Sequence, residues 1–163
     1  MRIAVASDHA AIELRGEIAR HLSARGFATI ECGPQAGVSS DYPDQAAEVA
    51  HLIVDGQVDR GVLVCGTGIG MSIAANKFAG IRAALVHSEH TATLAAQHNN
   101  ANVLCLGGRV LAPGVALACV DAWLDTEFEP RHQGRLDKIA AIESAGALVQ
   151  GVRASVGGGS APS

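Results

Sequence analysis

Residues 61–75 read GVLVCGTGIGMSIAA, and this stretch contains the pattern that decides the fold. An apolar run at 61–64 is followed by three alternate glycines and a helix-forming segment, the order of a strand, a tight turn and a helix. Alternating glycines let backbone N–H groups converge on an anion where side chains would block the approach. Cys65 precedes this turn beside the positive end of the predicted helix, which favours a thiolate. A base next to a cradle for negative charge is what an enolisation site requires.

The residues of this turn also allow other interpretations. A glycine-rich turn between a strand and a helix commonly binds a phosphate or a dinucleotide, and a cysteine that ends a buried strand is commonly part of the core. The dinucleotide pattern G-x-G-x-x-G expects an acidic residue about 20 positions further on. Here Gly70 comes one position early, and Leu85 and Val86 stand where the acidic residue is expected. A nucleotide-binding module therefore has weak support, while the other interpretations stay open.

Apolar runs and amphipathic segments alternate along the rest of the chain. Strands are predicted at 2–6, 27–32, 61–64, 81–86 and 102–106, with helices between them and further helices at 113–124 and 134–144. This alternation predicts an α/β fold, a doubly wound, Rossmann-like α/β/α sandwich with a five-stranded parallel sheet. We expect one domain over residues 1–146. Residues 147–163 are rich in Gly, Ser and Ala and are predicted to form a disordered tail.

Composition narrows the classes of function. Of the 163 residues 48% are apolar, and the net charge is −4. No basic stripe is present, so nucleic acid is not expected as a partner. The four cysteines show no C-x-x-C spacing, which removes support for zinc or a redox dithiol. No signal peptide is visible and no apolar segment reaches the about 18 residues of a membrane span, so we expect a cytoplasmic protein with no membrane partner.

Polar residues follow several of the predicted strands. Parallel α/β sheets bind ligands beyond the carboxyl ends of their strands, and Asp8, His9, Cys65 and Arg109 all stand at such ends. Asp8 can cap the first helix or orient a substrate hydroxyl. His9 can be a solvated residue of the first turn or a contact for a phosphate.

Three further residues have both a structural and a functional interpretation. His98 ends a helix, where it can stabilise the helix C-terminus or act as a general acid–base. Arg131 and Arg135 are four residues apart near the start of the last helix. They form either a solvated face or a planar clamp for phosphate, to which Arg109 could add a third guanidinium. His87 and His90 lack a nearby third ligand, so no metal site is predicted.

Together these blocks resemble the ribose-5-phosphate isomerase type B family, which also contains the galactose-6-phosphate isomerase subunits. The resemblance extends from Met1 to about Ser144. Its motifs are Ser7-Asp8-His9, Asp41-Tyr42-Pro43, CGTGIG at 65–70 with SIAANK at 72–77, Gln97-His98-Asn99, Gly107-Gly108-Arg109, and RHQGR at 131–135.

The resemblance implies an aldose–ketose isomerase that needs no metal or cofactor, with D-ribose 5-phosphate and D-ribulose 5-phosphate as the expected sugars. Cys65 would carry a proton between C2 and C1 through an enediolate, and Thr67 would help to move the hydroxyl proton. His98, aided by Asp8, would open the sugar ring. Substrate binding is implied for His9, Tyr42, Gly66, Gly68, Ile69, Gly70, Asn99, Arg109, Arg131 and Arg135, with the phosphate on His9 and the three arginines.

The resemblance also implies a homodimer with shared active sites, and some members of the family are tetramers. His98, Asn99 and Arg109 are expected to come from the partner chain. One branch of the family has serine in place of the thiol and a glutamate after the glycine loop, where this chain has Met71, so we assign it to the thiol branch. Isomerisation of a tetrose or hexose phosphate, and a non-catalytic sugar-phosphate binding subunit, remain alternatives.

Overall fold

A computed structural model of the chain describes residues 1–156, with side chains as far as residue 146. The chain divides into two compact units, Met1–Glu129 and Pro130–Ser163. In the first unit strands and helices alternate: β1 Arg2–Ser7, α1 Ile12–Ala24, β2 Ala28–Cys32, α2 Tyr42–Val54, β3 Arg60–Cys65, α3 Ile69–Ala75, β4 Ala83–Leu85, α4 Glu89–Asn99, β5 Val103–Gly107 and α5 Pro113–Leu124. The described part of the second unit has a short 3₁₀ helix, Pro130–His132, followed by α6, Gln133–Val156.

The five strands form one parallel sheet in the order β2-β1-β3-β5-β4, which confirms the predicted fold class. Strand residues alternate between its two faces because successive side chains of a strand point in opposite directions. Ile3 and Val5 pack with α1, α4 and α5, whereas Ala4 and Ala6 pack with α2 and α3. Both faces are therefore covered, as the apolar composition of the strands predicts.

The strand order creates a crevice at the carboxyl ends of β1 and β3. These two strands are neighbours, with Ser7 opposite Val64, but α1 follows β1 on one face and α3 follows β3 on the other. Ligands of open α/β sheets bind where neighbouring connections diverge in this way. The fold thus places the residues after β1 and β3 at the expected ligand site.

Strand β4 is shorter than the predicted 81–86. The N–H of Ile81 donates to the Phe78 carbonyl at 3.1 Å and that of Arg82 to the side chain of Asn102 at 2.8 Å. A turn and a side-chain amide thus take the place of strand pairing, so β4 begins at Ala83.

Helix α6 continues past its predicted end near residue 144 as far as Val156. The part of the predicted tail at 157–163 lies outside the described residues, and the domain boundary at 146 stays a prediction. No helix within the described part of the chain is both long and apolar enough to cross a membrane.

Candidate active site

The sulfur of Cys65 lies at the head of the glycine loop 66–70. Cys65 ends β3 and is only 4% exposed, and the N–H of Gly68 donates to its Sγ at 3.1 Å. Gly68 has φ +78°, a left-handed conformation that lets the chain turn from β3 into α3 and return this N–H to the sulfur. The loop thus places a backbone N–H donor directly on the sulfur.

The other three cysteines have a different environment. All four lie within the described residues, and each is a buried free thiol. Burial raises the pKa of the Cys105 and Cys119 thiols, and burial together with the Glu48 carboxylate raises the pKa of Cys32 to about 12. These three sulfurs therefore stay neutral at physiological pH, where a neutral thiol is a poor base and a poor nucleophile.

The glycine loop rests directly on the end of β5. A Cβ on Gly107 would lie 2.8 Å from the backbone of Thr67, and one on Gly68 would lie 2.9 Å from the backbone of Leu106. The N–H of Gly108 donates to the Cys65 carbonyl at 2.8 Å. Gly107 was predicted only as part of a motif, although the paired glycines after a strand were the signal for this close backbone approach.

Two residues of the loop and the ring of Tyr42 form its outer side. The N–H of Ile69 donates to the Thr67 hydroxyl oxygen at 3.3 Å, so the hydroxyl proton can be given to a substrate oxygen. A Cβ on Gly70 would lie 2.7 Å from the ring of Tyr42, which therefore packs against the loop. Two of the loop N–H groups, those of Gly68 and Ile69, are thus engaged within the loop, which leaves less of the backbone for an enediolate than we predicted.

Asp8 and His9 lie beside this loop, at the end of β1. Asp8 is 8% exposed, and its Oδ1 accepts the N–H of Ala10 at 2.9 Å. Helix α1 begins at Ile12, and no side chain among the described residues caps it. The alternative that Asp8 caps the first helix is therefore wrong, because its carboxylate closes a separate turn before the helix.

His9 is exposed, and its Nδ1 lies 3.0 Å from the carbonyl oxygen of Ser40. A carbonyl only accepts, so Nδ1 carries the hydrogen in the neutral ring and Nε2 is the nitrogen left for a second partner. Ser40 was not among the predicted site residues, since a contact through a backbone carbonyl leaves no signal in residue type.

Arg109 also lies at this edge of the sheet. Its N–H donates to the Gly66 carbonyl at 2.9 Å, and its guanidinium Nη1 would lie 3.5 Å from a Cβ on Gly66. The resemblance implied that Arg109 comes from the partner chain. In this structure it contacts the glycine loop of its own chain, because β5 and β3 are neighbours and end at the same edge.

His98 and Asn99 lie on the opposite side of the sheet from Cys65, where the strands begin. They end α4, which runs back from the carboxyl end of β4, and Arg82, at the amino end of β4, donates to the carbonyls of Asn99 and Asn100 at 3.2 and 2.9 Å. The start of β4 is level with Gly61 of β3, because both strands pair with Val103 there. Four residues along β3 separate Gly61 from Cys65, a distance of roughly 13 Å at the rise of a parallel strand. One chain does not bring His98 to its own Cys65.

The two arginines predicted to form a phosphate clamp belong to the second unit. Arg131 lies in the 3₁₀ helix and Arg135 in the first turn of α6, and both are exposed. The guanidinium of Arg135 donates to Nδ1 of His132 at 3.0 Å. That contact orients one guanidinium, and the phosphate-binding role of both stays a prediction.

Residues 3–139 match the family model described as Ribose/Galactose Isomerase. The chain belongs to this family. It is 47% identical over 143 residues to ribose-5-phosphate isomerase B of Escherichia coli, covering 87% of this chain and 96% of the relative. It is 45% identical over 130 residues to D-erythrulose-4-phosphate isomerase of Pectobacterium atrosepticum, covering 79% and 86%. The solved structure of ribose-5-phosphate isomerase B from Clostridium thermocellum superposes with a TM-score of 0.87 at 45% identity, covering 89% of this chain and 99% of that one.

A groove of about 430 Å³ opens next to the site of this ribose/galactose isomerase family member. His9 and Gly108 line it where β1 and β5 end, whereas Glu13 and Glu17 line it further along α1. The two carboxylates would repel a phosphate, so the end at His9 is the part of the groove that suits an anion.

The different environments of the four thiols predict selective alkylation. Iodoacetamide at pH 7.5 is expected to modify Cys65 first, since the raised pKa values of Cys32, Cys105 and Cys119 keep those sulfurs neutral. Peptide mass spectrometry of the native protein measures the order. Labelling of another cysteine at an equal rate in the folded protein would show that the Gly68 contact does not activate Cys65.

Proposed function

We propose that this chain isomerises D-ribose 5-phosphate and D-ribulose 5-phosphate through an enediolate, with the Cys65 thiolate as the base. The observation that carries the proposal is the Cys65 sulfur, held by the Gly68 N–H at the head of a glycine loop. The 47% identity to the ribose-5-phosphate isomerase B of Escherichia coli supports the choice of sugar. The reaction is a step of the pentose phosphate pathway.

The proposed reaction moves two protons and no net electrons. The thiolate takes the proton from C2 of the open-chain aldose, the electron pair of that bond forms C1=C2, and O1 becomes an oxyanion. The thiol then returns the proton to C1 while the hydroxyl proton on O2 passes to O1, which gives the ketose. Thr67 would assist the transfer between the oxygens, and backbone N–H groups of the glycine loop other than those of Gly68 and Ile69 would stabilise the charge. No metal or organic cofactor takes part in this scheme.

Ring opening requires a group other than Cys65, since it moves a proton at a different atom. We assign it to His98, with Asp8 orienting the sugar hydroxyl. Asp8 lies at the same edge as Cys65 and His98 at the opposite one, so the proposal requires His98 and Asn99 of a second chain. The shared site thus makes a homodimer, or a tetramer built from such dimers, part of the function.

Exposed apolar side chains next to the glycine loop support this assembly. Ile69 and Ile73 lie one turn apart on α3 and are 51% and 58% exposed, and Val110 after β5 is 52% exposed. Apolar groups at the edge of a site gain free energy when a partner covers them. We propose that a second copy of the chain covers this surface.

The remaining site residues are proposed to bind the substrate. His9, Arg109, Arg131 and Arg135 would hold the phosphate, and Tyr42 would line the sugar pocket. The four free thiols support a reducing compartment, and we propose the cytoplasm. The D-erythrulose-4-phosphate isomerase relative, at 45% identity, keeps a tetrose phosphate as the second candidate substrate.

Steady-state turnover of four-, five- and six-carbon sugar phosphates by the purified chain tests the substrate. Ribose 5-phosphate is expected to give the highest kcat/KM without an added second protein. A higher kcat/KM for the tetrose phosphate would make that sugar the substrate and leave the proposed isomerisation mechanism unchanged. Absence of turnover with every sugar would instead indicate a non-catalytic binding subunit.

Removal of the Cys65 thiol tests the base. Cys65→Ala is expected to lower kcat by at least about 10²-fold, the low end for a positioned acid–base group. Cys119→Ala is the matched control, because it removes a buried neutral thiol away from the loop. Turnover of Cys65→Ala close to that of the control would exclude Cys65 as the proton carrier.

Replacement of the second-unit arginines tests the phosphate site. Arg131→Ala or Arg135→Ala removes a charge-assisted contact, so kcat/KM for the sugar phosphate is expected to fall about 10- to 150-fold. Turnover of the unphosphorylated sugar should change little. An equal loss with both sugars would mean that these arginines support the structure rather than the phosphate.

A further inference from the structure

The imidazole of His9 is held by the loop 33–41, which connects β2 to α2, rather than by its own helix. Its Nδ1 donates to the Ser40 carbonyl at 3.0 Å. The hydrogen bond of one ring nitrogen determines which tautomer a neutral histidine adopts and where its second nitrogen points. The position of Ser40 therefore determines whether Nε2 of His9 is turned towards a ligand.

Arg15 anchors the beginning of this loop. Its side chain is only 9% exposed, its Nε donates to the Glu31 carboxylate at 2.9 Å, and its Nη1 donates to the Pro34 carbonyl at 2.9 Å. Gly33 packs beneath it with φ +104°, and a Cβ there would lie 2.6 Å from the carbonyl oxygen of Ser7 and 2.8 Å from Arg15 Nη1. The start of the loop is thus pressed onto the end of β1, immediately before Asp8 and His9.

Gln45 anchors the other end. It lies in the first turn of α2, and its Nε2 donates to the Ser40 hydroxyl at 2.8 Å. Ser40 is therefore bound on both sides, by Gln45 at its hydroxyl and by His9 at its carbonyl. Because Ser40 is fixed, the His9 side chain bonded to it already has a restricted orientation and loses less conformational entropy when it binds a ligand.

We propose that Arg15 and Gln45 are positioning residues, which act through the loop 33–41 to fix the direction of the His9 ring so that Nε2–H of the protonated ring meets a phosphate. The tautomer of the neutral ring reports the same direction. This inference rests on the proposed function in assigning a phosphate to His9. When His9 is protonated, Nδ1–H remains on Ser40 and Nε2–H donates to the phosphate with the charge of the imidazolium. When the hydrogen bonds of Arg15 and Gln45 to the loop are weakened, the His9 ring rotates and its hydrogen bond to the phosphate is lost in part of the population.

The charged side chain of Arg15 fits this role better than a role in stability alone. Its partner Glu31 has a side chain that is 45% exposed, and ion pairs with exposed partners contribute little to folding. A guanidinium taken out of water also requires compensation from its hydrogen bonds. The second of these bonds goes to the backbone of the loop, which is where a positioning function would need it.

Nitrogen NMR of the full-length chain, without substrate, tests the tautomer. In the wild-type protein neutral His9 is expected to carry its hydrogen on Nδ1, with the signal assigned by its loss in His9→Gln. Gln45→Leu and Arg15→Lys are expected to increase the Nε2–H tautomer, Lys retaining the charge without two donors in a fixed fork. Gln57→Leu and Arg20→Lys, at exposed positions, are the matched controls and should leave the tautomer unchanged.

Kinetics and phosphate binding test the consequence. Gln45→Leu is expected to raise KM for the sugar phosphate, and Kd for inorganic phosphate, about three- to tenfold, the worth of one hydrogen bond, with kcat within about twofold. Inorganic phosphate is titrated against the His9 signals, so the measurement needs no turnover. An unchanged tautomer, or a fall in kcat at unchanged KM, would overturn the proposal. If the wild-type chain turns over no sugar phosphate, the NMR and phosphate results still decide the role of Arg15 and Gln45, and only the proposed function fails.

Discussion

The backbone contact between the end of β5 and the glycine loop is the constraint on which the rest of the site depends. Gly107 and Gly68 leave no room for a Cβ at this contact, so the loop lies on the strand and returns the Gly68 N–H to the Cys65 sulfur. The same contact brings Arg109 against Gly66. One packing requirement, met by glycine alone, thus places the Cys65 thiol, the glycine loop and the Arg109 guanidinium together at the carboxyl ends of the strands.

The direction of the strands limits what one chain can assemble. Asp8, His9, Cys65 and Arg109 follow strands that end at one edge, whereas α4 returns to the other edge before it reaches His98. In the proposed mechanism enolisation uses only residues at the carboxyl ends of the strands. Ring opening also uses His98, at the amino ends. A second chain that presents its own α4 end to the glycine loop resolves this conflict, and the exposed apolar side chains of α3 are a surface that such a chain would cover.

Much of this could be predicted from the sequence, since strand and helix periodicity, alternate glycines and polar residues after strands are local signals. They predicted the parallel sheet and the position of Cys65 after β3. The features that the sequence did not predict depend on residues far apart in sequence. The Asn102 side chain accepts the Arg82 N–H and thereby shortens β4, and the Ser40 carbonyl accepts a hydrogen bond from His9. The pairing of β3 with β5 could not be deduced from periodicity, which indicates which side chains share a face of a strand but not which strands are neighbours in the sheet.

The proposed mechanism requires Cys65 of one chain and His98 of another to form a single site. Mixing Cys65→Ala and His98→Asn chains, each inactive alone with a cyclising sugar phosphate, tests it most directly. In a mixed dimer of two-fold symmetry one of the two sites keeps both groups, so random exchange should restore about a quarter of all sites. After subunit exchange has been verified by mass spectrometry, a shared site should give activity near a quarter of the wild-type value. No recovery in exchanged dimers would contradict it and would place both groups in the same chain.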